Sequence, residues 1–104
     1  RVPTPTGSIS DLTVELEKPT SVEGINAAFK AAAEEGSLAP YLEYTEEEIV
    51  LADIVGNPAS CIFDAGLTHM IGDRFAKVCG WYDNEWGYAN RTADLIKLMA
   101  ERGL

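Results

Sequence analysis

Residues 9–17 alternate between apolar and polar side chains, and no other stretch narrows the choice of fold as much. Leu12, Val14 and Leu16 share one face, and Asp11, Thr13, Glu15 and Glu17 share the other. Successive side chains of a strand point to opposite faces, so this period of two predicts a strand with one wet face. Such strands suit antiparallel sheets, whereas parallel strands are covered on both sides and read as continuous apolar runs. Further short strands are predicted at 41–45, 60–64, 68–71 and 75–82, with turn signals at Gly56-Asn57-Pro58 and Gly72-Asp73. Residues 50–55 are apolar without a readable period, which leaves strand and helix both open there.

Two segments carry the helical period instead. Thr20-Ser21-Val22-Glu23 has the form of a capping box, with Thr20 capping and Glu23 reaching back. Val22, Ile25, Phe29 and Ala32 follow at helical spacing, predicting a helix over 21–35 that Gly36 stops. The last segment predicts a second helix. Asn84 or Asp83 can cap it, Glu85 suits its positive end, and Trp86, Ala89, Ala93, Ile96 and Ala100 form one apolar stripe. With strands in the middle and helices around them, the expected fold is α+β in a single domain: a mainly antiparallel sheet flanked by two helices.

Charge excludes some partners. The 104 residues carry a formal net charge of −9, which repels phosphate backbones and argues against nucleic acid. Glu46-Glu47-Glu48 reads as a solvated run, with a weak metal or partner site as the alternative. No apolar run is long enough for a membrane helix and no signal peptide is visible, so a membrane partner is not expected. Cys61 and Cys79 form no C-x-x-C pair or secreted framework, which favours a reducing, cytoplasmic setting. The chain opens on Arg1 rather than Met, and the expectation is a cut inside a longer protein or a processed form.

Several chemistries have no carrier here. There is no G-x-G-x-x-G dinucleotide fingerprint, no P-loop and no evident Cys–His nucleophile motif. His69, the only histidine, reads as structural or surface, and a lone histidine rules out multi-histidine metal sites. Cys61 and Cys79 read as buried, inert thiols. Arg1 presents a fork of donors suited to a phosphate, although a terminal arginine is also an ordinary solvated charge. The densest segment is Trp81-Tyr82-Asp83-Asn84-Glu85-Trp86-Gly87-Tyr88-Ala89-Asn90-Arg91, which crosses from strand to helix. Asn84 can both donate and accept, which suits a carboxamide ligand, and the aromatics can pack against a flat ring. The alternative gives Asn84 to capping and Trp81, Trp86 and Tyr88 to packing; the two can hold together.

Taken in order, Arg1-Val2-Pro3-Thr4-Pro5-Thr6-Gly7-Ser8, Asp11-Leu12-Thr13-Val14-Glu15-Leu16, Asn26-Ala27-Ala28-Phe29-Lys30-Ala31-Ala32-Ala33, Asp53-Ile54-Val55-Gly56 and Ile62-Phe63-Asp64-Ala65-Gly66-Leu67-Thr68 resemble phosphorylating glyceraldehyde-3-phosphate dehydrogenases, as does Trp81 to Tyr88 with Asn90-Arg91. The resemblance spans nearly the whole chain and places residues 1–104 in the C-terminal portion of that family's catalytic domain. It implies a parent enzyme that oxidises glyceraldehyde 3-phosphate with NAD and phosphate to 1,3-bisphosphoglycerate, as a cytoplasmic homotetramer. The family's catalytic cysteine, histidine and nucleotide-binding domain precede this segment, so no catalytic residue is assigned here, and neither activity nor tight NAD binding is expected of the chain alone.

By the same resemblance Arg1 matches the family arginine that helps bind the substrate phosphate. Asn84 matches the asparagine at the nicotinamide carboxamide, and Tyr88 an aromatic near that ring. The chain departs from the family at Ala59-Ser60-Cys61, where His-Ser-Ser is frequent, and at Cys79-Gly80, where Val-Ser is frequent. Two other readings stand beside this one. One is a fragment of the related erythrose-4-phosphate dehydrogenase, against which Tyr82 and Tyr88 argue. The other is a non-catalytic assembly module, which would self-associate or stay disordered once its apolar surface lacks neighbours.

Overall fold

The computed structural model describes residues 2–104. The alternating segment forms β1 (Ser8–Glu15), followed by α1 (Val22–Glu34), β2 (Leu42–Thr45) and the one-turn helix α2 (Leu51–Ile54). Then come β3 (Cys61–Asp64), a single 3₁₀ turn over Ala65–Leu67, β4 (His69–Ile71), β5 (Phe75–Tyr82) and the terminal α3 (Trp86–Glu101). The class is α+β, as expected.

β5 is the spine of the sheet. Along one edge it pairs antiparallel with β1 over all eight residues, from Ser8 opposite Tyr82 to Glu15 opposite Phe75. Its other edge is shared by β4, opposite Phe75 to Lys77, and by β3, where Ile62 faces Trp81 and Phe63 faces Gly80. β2 completes the sheet parallel to β3, the one departure from antiparallel pairing. A parallel neighbour needs a crossover, and the segment carrying α2 supplies it. A single turn is too short for a helical period to be read, which is why residues 50–55 were ambiguous. The turn is set by Asp53, whose carboxylate accepts the Val50 N–H at 2.9 Å.

β3 is covered on both faces, and two small cores meet across it. On one face Phe63, 1% exposed, stacks on Phe29 of α1 with ring centroids 3.9 Å apart, and Tyr44 of β2 joins at 5.9 Å. On the other, Ile62 packs with Ile54, Ala59, Ile49 and Trp81. α1 is also tied down by Asn26, which accepts from the Thr68 hydroxyl at 2.7 Å and donates to the Ala65 carbonyl at 3.2 Å. Its cap is Ser21, whose hydroxyl accepts the Gly24 N–H at 3.0 Å, rather than Thr20. Thr20 is held elsewhere, its N–H donating to the Asp73 carbonyl at 2.7 Å.

Elsewhere the apolar faces lie open. Leu12 of β1 is 54% exposed, so the strand has the predicted alternation without a covered side. The stripe on α3 fares the same: Ile96 is 64% and Trp86 50% exposed, and Gly87 is the only buried residue of that helix. The chain is a slab of 49 × 36 × 22 Å with a radius of gyration of 15.5 Å, against about 13 Å for a compact domain of this length. Its accessible surface is 7329 Å², where a compact monomer of this mass shows about 5,700 Å².

Candidate functional site

At the junction of β5 and α3, two adjacent residues that could each cap a helix take different tasks. Asp83 is buried. One carboxylate oxygen accepts the N–H groups of Glu85 and Trp86, each at 2.9 Å, and the other accepts the Gly56 N–H at 2.9 Å. These donors, Gly56 foremost, hold its carboxyl below the usual carboxylate range despite the opposing effect of burial. Asp83 therefore starts α3, and Asn84 does not cap it.

Asn84 turns instead toward the opening segment of the chain. Its Oδ1 accepts the Gly7 N–H at 2.9 Å and the Ser8 hydroxyl at 3.2 Å. Gly7 has φ +90, and a Cβ there would overlap the Leu51 side chain. Only glycine adopts this backbone without strain, and a larger residue would also have to displace the Leu51 side chain.

Asn84 and Tyr82 form the partition between two hollows. The smaller, about 200 Å³, is also lined by Tyr88, Gly87 and Arg91. The larger, about 510 Å³, is lined by Val2 to Ile9 apart from Pro3. Tyr88 is 77% exposed and stands on the rim with its ring free of packing. Arg91 clamps the first turns of α3 onto the body of the chain. It donates to the Pro58 carbonyl and the Ser60 hydroxyl at 3.0 Å each, pairs with Asp94, and lies 4.7 Å over the Tyr41 ring.

The structure thus brings Asn84 and Tyr88 to one hollow. Arg1 lies outside the described residues, although its neighbour Val2 lines the larger hollow. Trp81 belongs to the core, its indole N–H donating to Asp64 at 2.9 Å, whereas Trp86 and Tyr88 do not pack as core residues. His69 is exposed on β4 opposite Lys77, about 17 Å along β5 from Tyr82 at the rise of a strand. Burial pushes both the Cys61 and Cys79 thiols up, so they stay protonated at neutral pH. Among the described residues no group of three or more His, Cys, Asp or Glu side chains could hold a metal ion, and no helix is long and apolar enough to cross a membrane. Sequence reasoning did not single out Gly7, Ser8 or Arg91, whose partners lie tens of residues away along the chain.

The profile of the glyceraldehyde 3-phosphate dehydrogenase C-terminal domain family matches residues 1–84. The chain belongs to that family. It is 61% identical over 101 residues to a glyceraldehyde-3-phosphate dehydrogenase of Mycobacterium avium, covering 97% of this chain and 29% of that protein. The corresponding protein of Mycolicibacterium smegmatis is 59% identical over the same shares of each chain. That of Streptomyces coelicolor is 55% identical over 98% of this chain and 30% of its own length. The chain therefore spans a little under a third of the relatives it matches. The matched domain ends at Asn84, and α3 lies beyond it.

Proposed function

We propose that this chain is the C-terminal portion of the catalytic domain of a phosphorylating glyceraldehyde-3-phosphate dehydrogenase, and that it supplies positioning groups to a reaction whose nucleophile and base lie outside it. The observation that carries the reading is the Asn84 amide, fixed at the wall of a hollow and flanked by the open ring of Tyr88. A carboxamide presents a carbonyl and an amino group, so an anchored asparagine is a fitting partner for nicotinamide. NAD, when bound, accepts the hydride. Asn84 orients the carboxamide, Tyr88 lies against the ring, and Arg1 holds the substrate phosphate. Holding both reactants in register lowers the barrier by converting an encounter into an intramolecular step. In this reading the parent converts glyceraldehyde 3-phosphate, phosphate and NAD to 1,3-bisphosphoglycerate and NADH as a cytoplasmic homotetramer, and the chain alone is inactive.

The test uses the full-length dehydrogenase. Arg1→Leu should raise KM for glyceraldehyde 3-phosphate roughly 10-fold or more, as expected for a charged hydrogen bond, while leaving unphosphorylated glyceraldehyde unaffected. An equal effect on both aldehydes would remove Arg1 from the phosphate site. Turnover of erythrose 4-phosphate exceeding that of glyceraldehyde 3-phosphate would transfer the chain to the related enzyme.

A further inference from the structure

α3 is tied down at two points, and Tyr88 stands between them. At the first, the buried Asp83 carboxylate accepts the N–H groups of Glu85 and Trp86. The second lies about 7.5 Å further along the axis at the rise of a helix. There Arg91 donates from Nη1 to both the Pro58 carbonyl and the Ser60 hydroxyl, at 3.0 Å each, and from Nε to Asp94 at 2.9 Å. Its guanidinium also covers the Tyr41 ring. Gly87 lets the first turn approach the Ala59 carbonyl, and Arg91 bonds the next turn to the same 58–60 segment. Beyond Arg91 every residue of α3 is exposed. Tyr88 is itself exposed, so its own packing does little to fix its place. The direction of the helix axis does that instead. A helix tied at one point can pivot, and a second tie fixes where it points.

We propose that Arg91, which lines the same hollow as Tyr88, is a positioning residue for the cofactor ring: it fixes the direction of α3 and thereby the place of Tyr88. The proposal rests on the reading of Tyr88 as a nicotinamide neighbour and adds what holds that neighbour in position. Arg91 acts through Tyr88 and not on the ligand.

The experiment measures dissociation constants of NAD and of ADP-ribose, which lacks the nicotinamide, for the full-length dehydrogenase by calorimetry. Tyr88→Ala should weaken NAD about 2- to 10-fold, the range for one aromatic contact, and leave ADP-ribose unchanged. Arg91→Met, which keeps an apolar stem over Tyr41, should show the same pattern with a loss no larger than that of Tyr88→Ala. In a Tyr88→Ala background it should cost nothing further. Ser60→Ala, a milder change that removes one of the acceptors, should weaken NAD in the same selective way and add nothing to Arg91→Met. Equal weakening of both ligands by Arg91→Met would mark a general loosening or a charge effect on the diphosphate and overturn the proposal. A loss that persists without Tyr88 would overturn it too. Unchanged NAD binding in Arg91→Met beside a loss in Tyr88→Ala would overturn the proposal and leave the ring contact standing. Unchanged NAD binding in Tyr88→Ala would overturn the ring contact itself, and the proposal with it.

Discussion

β3 and α3 are both apolar in sequence, yet they end in opposite environments. The strand is four residues long and buries Ile62 and Phe63 to 4% and 1% exposure. The helix is sixteen residues long and buries only Gly87. β3 has α1 on one face and the segment around α2 on the other, so both of its apolar sets find partners within the chain. α3 is fastened only near its start, through Asp83, the close approach of Gly87 to the Ala59 carbonyl and the Arg91 clamp. An apolar period states that a face needs cover. It does not state that the same stretch of polypeptide supplies it.

Four measurements can break or sharpen this contrast. Phe63→Ala should cost about 3–5 kcal/mol in urea denaturation, since it empties the stack shared with Phe29 and Tyr44. A small loss would mean that β3 is no more essential than α3. Gly80→Ala comes next. A Cβ there would collide with the Cys61 sulfur, costing about 1–3 kcal/mol as an overpacked contact. Cys61→Ala in the same chain should relieve most of that loss, and a strictly additive pair would refute the collision.

The third measurement follows the urea midpoint from about pH 6 to about pH 2. Asp83 has a lowered folded-state pKa, so its stabilisation is complete above the unfolded value and is lost as pH falls through the folded one. Asp83→Asn should flatten that acid limb. An unchanged limb would detach the start of α3 from the acid response. The smallest effect is expected for Ile96→Ser on the exposed stripe, within about 0.5 kcal/mol. A larger loss would show that α3 has found cover, and sedimentation of the same sample would identify self-association as the source.

The sequence was most legible where one local signal decided the outcome. β5 occupies the predicted residues, and α1 lies within one residue of its expected ends because Ser21 and Glu35 became its caps. The thiols lie in strands as read, with Cys61 and Cys79 on opposite faces because they sit at opposite parities of the β3–β5 register. Legibility failed where two neighbours could play one role. Asp83 and Asn84 both qualify as caps, and only the Gly56 N–H on one side and the Gly7 turn on the other separate them. The Asn84 bond joins residues 77 positions apart, which no local window contains. Exposure of the α3 stripe was equally hidden, since periodicity records chemistry along one element and not what lies opposite.

The pairing of β1 with β5 has a consequence in time. Each residue of β1 is bonded to a partner about sixty or more positions downstream, so during translation the first strand emerges long before its mate. At the usual elongation rate, roughly 3 to 12 s pass before β5 is made. Throughout that interval the β1 edge destined for β5 has no partner from β5, and its amides and carbonyls are open to any other extended segment. The longest ladder in this fold is therefore also its most delayed.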